Sequence, residues 1–221
     1  MEGMALDVNT NDAAALTDSD LDELASMEEA FSAGQLSKAK EDWVLITTAR
    51  ISGKLHGFTF STLERIGGTP CVLLGLMSVK RSSKRDQVLR GLIGEAYHRA
   101  LMAFPDEDVV VGSRFITAGA VEAFKELDDV TPNPGVRAVG EERAWGRRLA
   151  KRFDVEGAYD EKSFVVRSGG QEGFIDHETS KPEAVDPGKQ ELFAQVPADG
   201  GSLIVYGWTM AEDLVKLGAR S

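Results

Sequence analysis

One cysteine, Cys71, in 221 residues leaves no partner for an internal disulfide and too few thiols for a cysteine-rich zinc site. It stands in an apolar run, which marks a buried structural thiol rather than a nucleophile. No stretch approaches the roughly 18 uninterrupted apolar residues of a membrane helix, and the opening MEGMALDVNTNDAA has neither a basic start nor an apolar signal core. No membrane association is expected, and a cytoplasmic location is. Positive charge is scarce: the formal net charge is −11, and residues 1 to 42 alone hold 11 acidic and 2 basic residues. The rest is nearly neutral, which disfavours a general nucleic-acid binder while leaving room for a local basic site. There is no internal repeat and no long low-complexity tract. Nothing in the composition sets an oligomeric state.

What is present is enough for one domain. A 42% hydrophobic content with 23 glycines builds a sizeable core at this length. Residues 1 to 16 are small and polar without apolar period, and read as a disordered acidic tail. From Thr17, TDSDLDELASMEEAF offers Thr17 or Ser19 as an N-cap, acids in the first turn, and Leu21, Leu24, Ala25 and Phe31 on one face of a single helix. Three strand-like runs follow, DWVLITTARI, KLHGFTFSTLER and CVLLGLMSV (71 to 79), separated by breaks short enough only for antiparallel neighbours. Val88, Leu89, Leu92, Ile93, Ala96, Tyr97, Ala100 and Leu101 then mark the strongest helix, and DVVVGSRF (108 to 115) another buried strand. Thr117 can cap a further helix, AGAVEAFKEL. After the turn-rich TPNPG, EERAWGRRLAKRF reads as a helix and SFVVR as a strand. Residues 168 to 190 read as an exposed loop, and SLIVYGWTM with AEDLVKLG as a last strand and helix. The fold class is α/β (α+β): a core from 17 to 130 and an extension from 131 to 221 that completes the same domain.

The chemically informative junction is CVLLGLMSV-KRSSKRD-QVLRGLIGEAYHRAL. A buried strand feeds a tight polar loop that opens a helix, and the free amides and dipole at such a start attract anions. Ser83 with Asp86 would form a capping-box variant, placing Lys84 and Arg85 in the first turn. Together with Lys80 and Arg81 they gather positive charge where the dipole repels it, about 0.3 to 1 kcal/mol each, a conflict that a phosphate-bearing ligand would relieve. A solvated charged loop accounts for the same charge.

On this junction and the order αβββαβα, residues 17 to 130 resemble the GNAT superfamily of acyl-CoA-dependent N-acyltransferases. The resemblance implies a mixed, mainly antiparallel central sheet with helices on both faces, in which the strand 71 to 79 splays from the strand 108 to 115. Acetyl-CoA or another acyl-CoA would be the cosubstrate. Its pantetheine would lie beside Leu76, Met77, Ser78 and Val79, with its pyrophosphate facing Arg81, Ser83, Lys84, Arg85, Asp86, Gln87 and Val88. The family motif is Gln or Arg, two residues, Gly, one residue, Gly or Ala. Here a start at Lys84 puts Gln87 and Leu89 at the small positions, and a start at Arg81 puts Lys84 and Asp86 there. The family's Asn, Ala and Tyr after the second strand fall on Thr117, Ala120 and Phe124, and phenylalanine donates no proton.

In this reaction an amine, of a small molecule or a peptide, attacks the thioester directly, with no covalent nucleophile and no metal. His56 and Glu64 are the candidate bases, against a structural histidine and a surface Glu64-Arg65 pair. Ser113 and Tyr159 are candidate proton donors. The basic run from Arg137 to Arg152 would hold an anionic substrate or nucleic acid, or be a solvated helix face. The alternative function is a GNAT-like scaffold without acetyl transfer that binds a partner or another phosphorylated ligand.

Overall fold

The computed structural model describes residues 5 to 27, 30 to 169 and 185 to 218. Its strands are β1 (Leu6–Asp12), β2 (Leu45–Ile51), β3 (Lys54–Ile66), β4 (Thr69–Val79), β5 (Val109–Phe115), β6 (Asp128–Thr131), β7 (Val165–Val166) and β8 (Ser202–Thr209). The helices are α1 (Asp18–Ser26), α2 (Ala33–Asp42), α3 (Arg85–Ala103), α4 (Gly140–Arg152), α5 (Pro187–Phe193) and α6 (Ala211–Gly218). All the strands join one mixed sheet in the order β1-β2-β3-β4-β5-β8-β6, with β7 also pairing β8. Every pairing is antiparallel except β4 with β5. This is the mixed, mainly antiparallel sheet with helices on both faces that the resemblance implies. The carboxy-terminal strand β8 lies inside it, between β5 and β6. No helix of the described residues is long and apolar enough to cross a membrane.

Two expectations need correction at the amino-terminal end. Residues 6 to 12 are a strand rather than a tail: Leu6 to Asp12 pair in register with Ile51 to Leu45. Its alternating half-buried and exposed residues, LDVNTND, are those of an edge strand, too short and polar to register as an apolar run. The single helix expected from Thr17 is two. Thr17 caps α1 with a reciprocal bond to Asp20, which holds the Asp20 carboxyl below its ordinary range, and Ser32 caps α2 in the same way with Gln35. The second capping box starts a new helix before Gln35 and turns it back against the first.

The other departures follow β5. AGAVEAFKEL forms a 3-10 turn over Gly119–Phe124 instead of an α-helix, and Ala118 rather than Thr117 stands at its cap position without a side-chain bond. The segment SFVVR contributes only Val165–Val166 to the sheet. Within the stretch read as a loop, 170 to 184 lie outside the described residues and Pro187–Phe193 is a helix capped by Asp186. The short strand β6 follows from Asp128 and carries no apolar signal.

Two apolar clusters sandwich the sheet. Leu21, Leu24, Phe31 and Leu36 pack on Ile46, Phe58, Phe60 and Leu76. A larger cluster joins α3 and α4 to β4, β5 and β8 through Leu73, Val88, Leu92, Val111, Leu149 and Ile204. Gly57 lets α3 approach, since a Cβ there would fall 2.7 Å from Val88 Cγ1.

Candidate functional site

β4 and β5 are hydrogen-bonded neighbours only from Cys71 to Leu73 opposite Val110 to Gly112. Beyond that point they part. Ser113 Oγ donates to the Leu74 carbonyl at 2.8 Å, bridging the strands where they separate. That bond makes Ser113, expected as a proton donor, a fully buried clip. At the same level β4 bulges: Thr59 faces Met77 and Ser61 faces Leu74, so Gly75 and Leu76 together stand opposite Phe60. A bulge turns backbone groups out of the ladder. Leu76, Met77, Ser78 and Val79, the residues expected beside the pantetheine, are all buried, and Ser78 Oγ makes no hydrogen bond among the described residues.

At the end of β4 the chain enters α3 through Lys80 to Lys84. Lys84, not Ser83, is the N-cap, and no side chain caps the helix; Ser82 Oγ accepts from the Lys84 amide instead. The first-turn amides of Asp86 and Gln87 are therefore left without a side-chain cap. The cation cluster is only partly as expected. Arg85 is 8% exposed and turns inward, donating to Asp86 Oδ1 at 2.6 Å and to Glu122 Oε2 at 2.8 Å. Its charge is offset by the protein's own carboxylates. Arg81, Ser83, Lys84, Asp86 and Gln87 remain exposed around the helix start, while Val88 faces the core.

Behind the gap, Phe124 is fully buried and stacks edge-on against Phe115 with centroids 4.9 Å apart, while Thr117 is exposed on the preceding bend. The position at which the resemblance implies a tyrosine is thus filled by an inward core ring.

His56 sits in β3 beside the end of β4, where its carbonyl accepts from the Lys80 amide at 2.7 Å. Burial, followed by the charges of Lys80 and Lys54, holds its imidazole below the ordinary histidine range. It belongs to the α3 end of the gap, not to the end where β4 and β5 part.

That other end opens into a cleft of about 360 Å³. Its floor is Leu74, Gly75 and Leu76, with α2 and Trp43 on one side and Phe153 to Val155, after α4, on the other. Arg114 of β5, Arg152, Lys38, Asp42 and Asp154 bring charge to it. Glu64, an expected base, lies behind this lining and accepts from Arg152 Nε at 2.6 Å. It pairs with Arg152, whereas Arg65, the partner expected from the sequence, bonds Glu107. Trp43, Gly75 and Arg114 gave no local sequence signal, because the cleft draws them from three separated segments.

Burial pushes the Cys71 thiol up to about 11, and the Tyr159 hydroxyl is raised by burial as well. Neither is poised to exchange a proton near neutrality. Several cations of α4 are engaged locally: Arg143 bonds the Ala138 carbonyl, Arg147 bonds Glu161, and Arg148 lies 4.9 Å over the Trp145 ring. Lys151, on the same face as Arg143 and Arg147, is exposed. No group of three metal-ligating side chains occurs among the described residues.

No family model matches the chain, and no curated protein matches it. Among solved structures it is similar to an aminoglycoside 6'-N-acetyltransferase from Enterococcus faecium, with 12% identity, coverage of 93% of this chain and 97% of that one, and a TM-score of 0.43. It is likewise similar to the ribosomal-protein-S18-alanine N-acetyltransferase from Escherichia coli, with 12% identity, 90% and 92% coverage, and a TM-score of 0.42. A third, an acetyltransferase of GNAT family from Streptococcus pneumoniae, gives 12% identity, 59% and 90% coverage, and a TM-score of 0.37.

Proposed function

We propose that the protein is a CoA-dependent N-acyltransferase that moves an acyl group, acetyl in the simplest case, from an acyl-CoA to an amine. The observation that carries the reading is the parting of β4 from β5 beyond Leu73 and Gly112, at a bulge in β4, with α3 opening uncapped at the end of the same strand. Such a gap admits an extended carrier whose amides bond the freed edge of β4, and the first-turn amides of α3 receive its phosphates. Lys84 supplies added charge there, in place of the closer backbone approach that glycines would allow.

The bound acyl-CoA supplies an activated acyl carbon. The protein contributes the rest. The cleft at Leu74 to Leu76 presents the amine, and the exposed carboxylates of Asp42 and Asp154 at its rim are placed to receive the ammonium proton, directly or through water. Direct attack needs no protein nucleophile, in keeping with the buried thiol of Cys71. With Phe124 in the core, the departing thiolate takes its proton from solvent rather than from a tyrosine.

Calorimetry of the full chain with acetyl-CoA tests this. Saturable binding is expected, and no heat at millimolar acetyl-CoA or longer acyl-CoA ends the proposal. The second reading, a scaffold that binds without transferring, is favoured by the inward Phe124 and the absent motif glycines. Turnover of any amine by the purified protein removes it.

A further inference from the structure

The hairpin end of β3 gathers basic groups beside the loop that opens α3. Ala49 pairs with Gly57 and Arg50 with Leu55, so His56 is the extra residue of a bulge. A bulge re-aims a side chain out of the regular alternation of the strand. His56 is half-buried, and its Nδ1 is enclosed without a hydrogen bond among the described residues. Its carbonyl accepts from the Lys80 amide at 2.7 Å, which ties the bulge to the residue where β4 runs into that loop.

Lys54 and Lys80 stand near the imidazole. Burial first, and then the Lys80 and Lys54 charges, weigh against a proton on it, so both ammonium groups are within electrostatic reach. Both lysines are exposed, and neither has an ion-pair partner among the described residues. With Ser26 and Met27 at the end of α1 and Gly53 in the turn, they line a hollow of about 630 Å³. Glu23 is the carboxylate of that lining, and both its oxygens are taken by Arg50 of β2. The hollow is therefore left with two lysine charges that its own acid does not balance. Single surface lysines are ordinarily just solvated; here a bulged histidine with an unused ring nitrogen stands with them.

An ammonium is a point charge that suits phosphate oxygens, without the fork that matches a planar carboxylate. A phosphomonoester carries about −1.5 to −2 charges at neutral pH and three acceptor oxygens, enough for two lysines and an imidazole together. We infer that His56, Lys54 and Lys80 bind a phosphomonoester of the acyl carrier, separate from the diphosphate received by the α3 amides, and so select carriers phosphorylated on the ribose. This rests on the acyltransferase reading. It gives His56 a part in holding the carrier rather than in taking the proton of the amine, and no bond is made or broken at this site.

The test uses the unaltered full chain with acetyl-CoA and acetyl-dephospho-CoA, which differ by that one phosphate, and with adenosine 3',5'-bisphosphate and 5'-AMP, which lack the thioester arm. At about two- to fivefold for each of three contacts, calorimetry should find acetyl-CoA tighter than its dephospho form by about tenfold or more. The preference should shrink at about 0.5 M salt, where exposed charges are screened. His56→Gln and Lys54→Gln should each reduce it and raise KM for acetyl-CoA far more than they lower kcat, whereas loss of a general base would cost kcat about 10² or more. The comparison of ligands stands even if a variant fails to fold. Equal affinity for the two acyl-CoAs, or a preference untouched by both substitutions, overturns the inference and leaves the acyltransferase intact. Tighter binding of the bisphosphate than of 5'-AMP, with no acyl-CoA bound, refutes the acyltransferase alone. No binding of any of the four removes both.

Discussion

Gly75 couples the bulge in β4 to the wall of the cleft, so a single methyl there reports on both. An ideal Cβ at this position would fall 2.6 Å from Trp43 Cζ2 and 2.8 Å from Cδ2, well inside van der Waals contact. For Gly75→Ala, the indole has to shift by about 1 Å, to the roughly 3.5 to 4 Å at which carbons rest. Overpacking of this kind costs about 1 to 3 kcal/mol. Against it stands the lost flexibility of the unfolded chain, which stabilises alanine by about 0.4 to 1 kcal/mol at a position it can adopt. The net is destabilising, by roughly 0 to 2.6 kcal/mol, and at about 2 to 4 °C per kcal/mol in a chain of this size the Tm falls by up to about 10 °C. Trp43→Leu removes the opposing ring. In that background the same Gly75→Ala change should be neutral or stabilising. Thermal and urea unfolding of the four proteins gives the coupling energy, expected at about 1 kcal/mol or more. Coupling below about 0.3 kcal/mol would mean that the indole does not rest on the bulge, and the description of the cleft floor would be wrong.

The other expectations are simpler to read. Because burial and two lysines depress His56, its contribution to stability is present above its unfolded value, about 6.5, and is lost as pH falls through the lower folded value. The fall in Tm between pH 7 and 5 should therefore be shallower in His56→Gln, and an unchanged slope refutes the assignment. Glu64→Gln disrupts a pair that is one-quarter to one-third exposed, so stability should drop by no more than about 1 kcal/mol and kcat by less than tenfold. A loss of 10² or more, with the acidic limb of the pH profile gone, would instead make Glu64 the base (roughly the range of general base catalysis). Phe124→Tyr would bury a hydroxyl in an aromatic pair, at a cost of about 1 to 3 kcal/mol, and acetyl transfer should not rise; a faster enzyme would place that ring at the reacting atoms. Cys71, fully buried and with its thiol raised to about 11, should react with a thiol reagent at pH 8 only as fast as the chain unfolds.

The parts of this fold legible in the sequence are those where one segment decides its own structure. CVLLGLMSV, covered on both faces, and the apolar recurrence from Val88 to Leu101 declare a buried strand and a buried helix without outside help, and the first capping box declares the start of α1. The strand at Leu6–Asp12 is different: only the free edge of β2 makes LDVNTND extended, so its polar residues carried no strand signal. Site legibility divides in the same way. That a helix opens after the polar loop follows from local composition, although its expected Ser83 cap does not form, and the direction of Arg85 is set by Glu122, 37 residues on, which turns an expected phosphate ligand into a core ion pair. The cleft is the extreme case, since Trp43, Gly75, Arg114 and Arg152 meet only after β4 and β5 have parted and α2 and α4 have packed beside the gap. Under the acyltransferase proposal, the helix start can drift in sequence, because backbone amides would still serve a phosphate there. The cleft has no such backbone substitute: its lining is made of side chains drawn from separate segments, so a change in the packing of any one of them would reshape it.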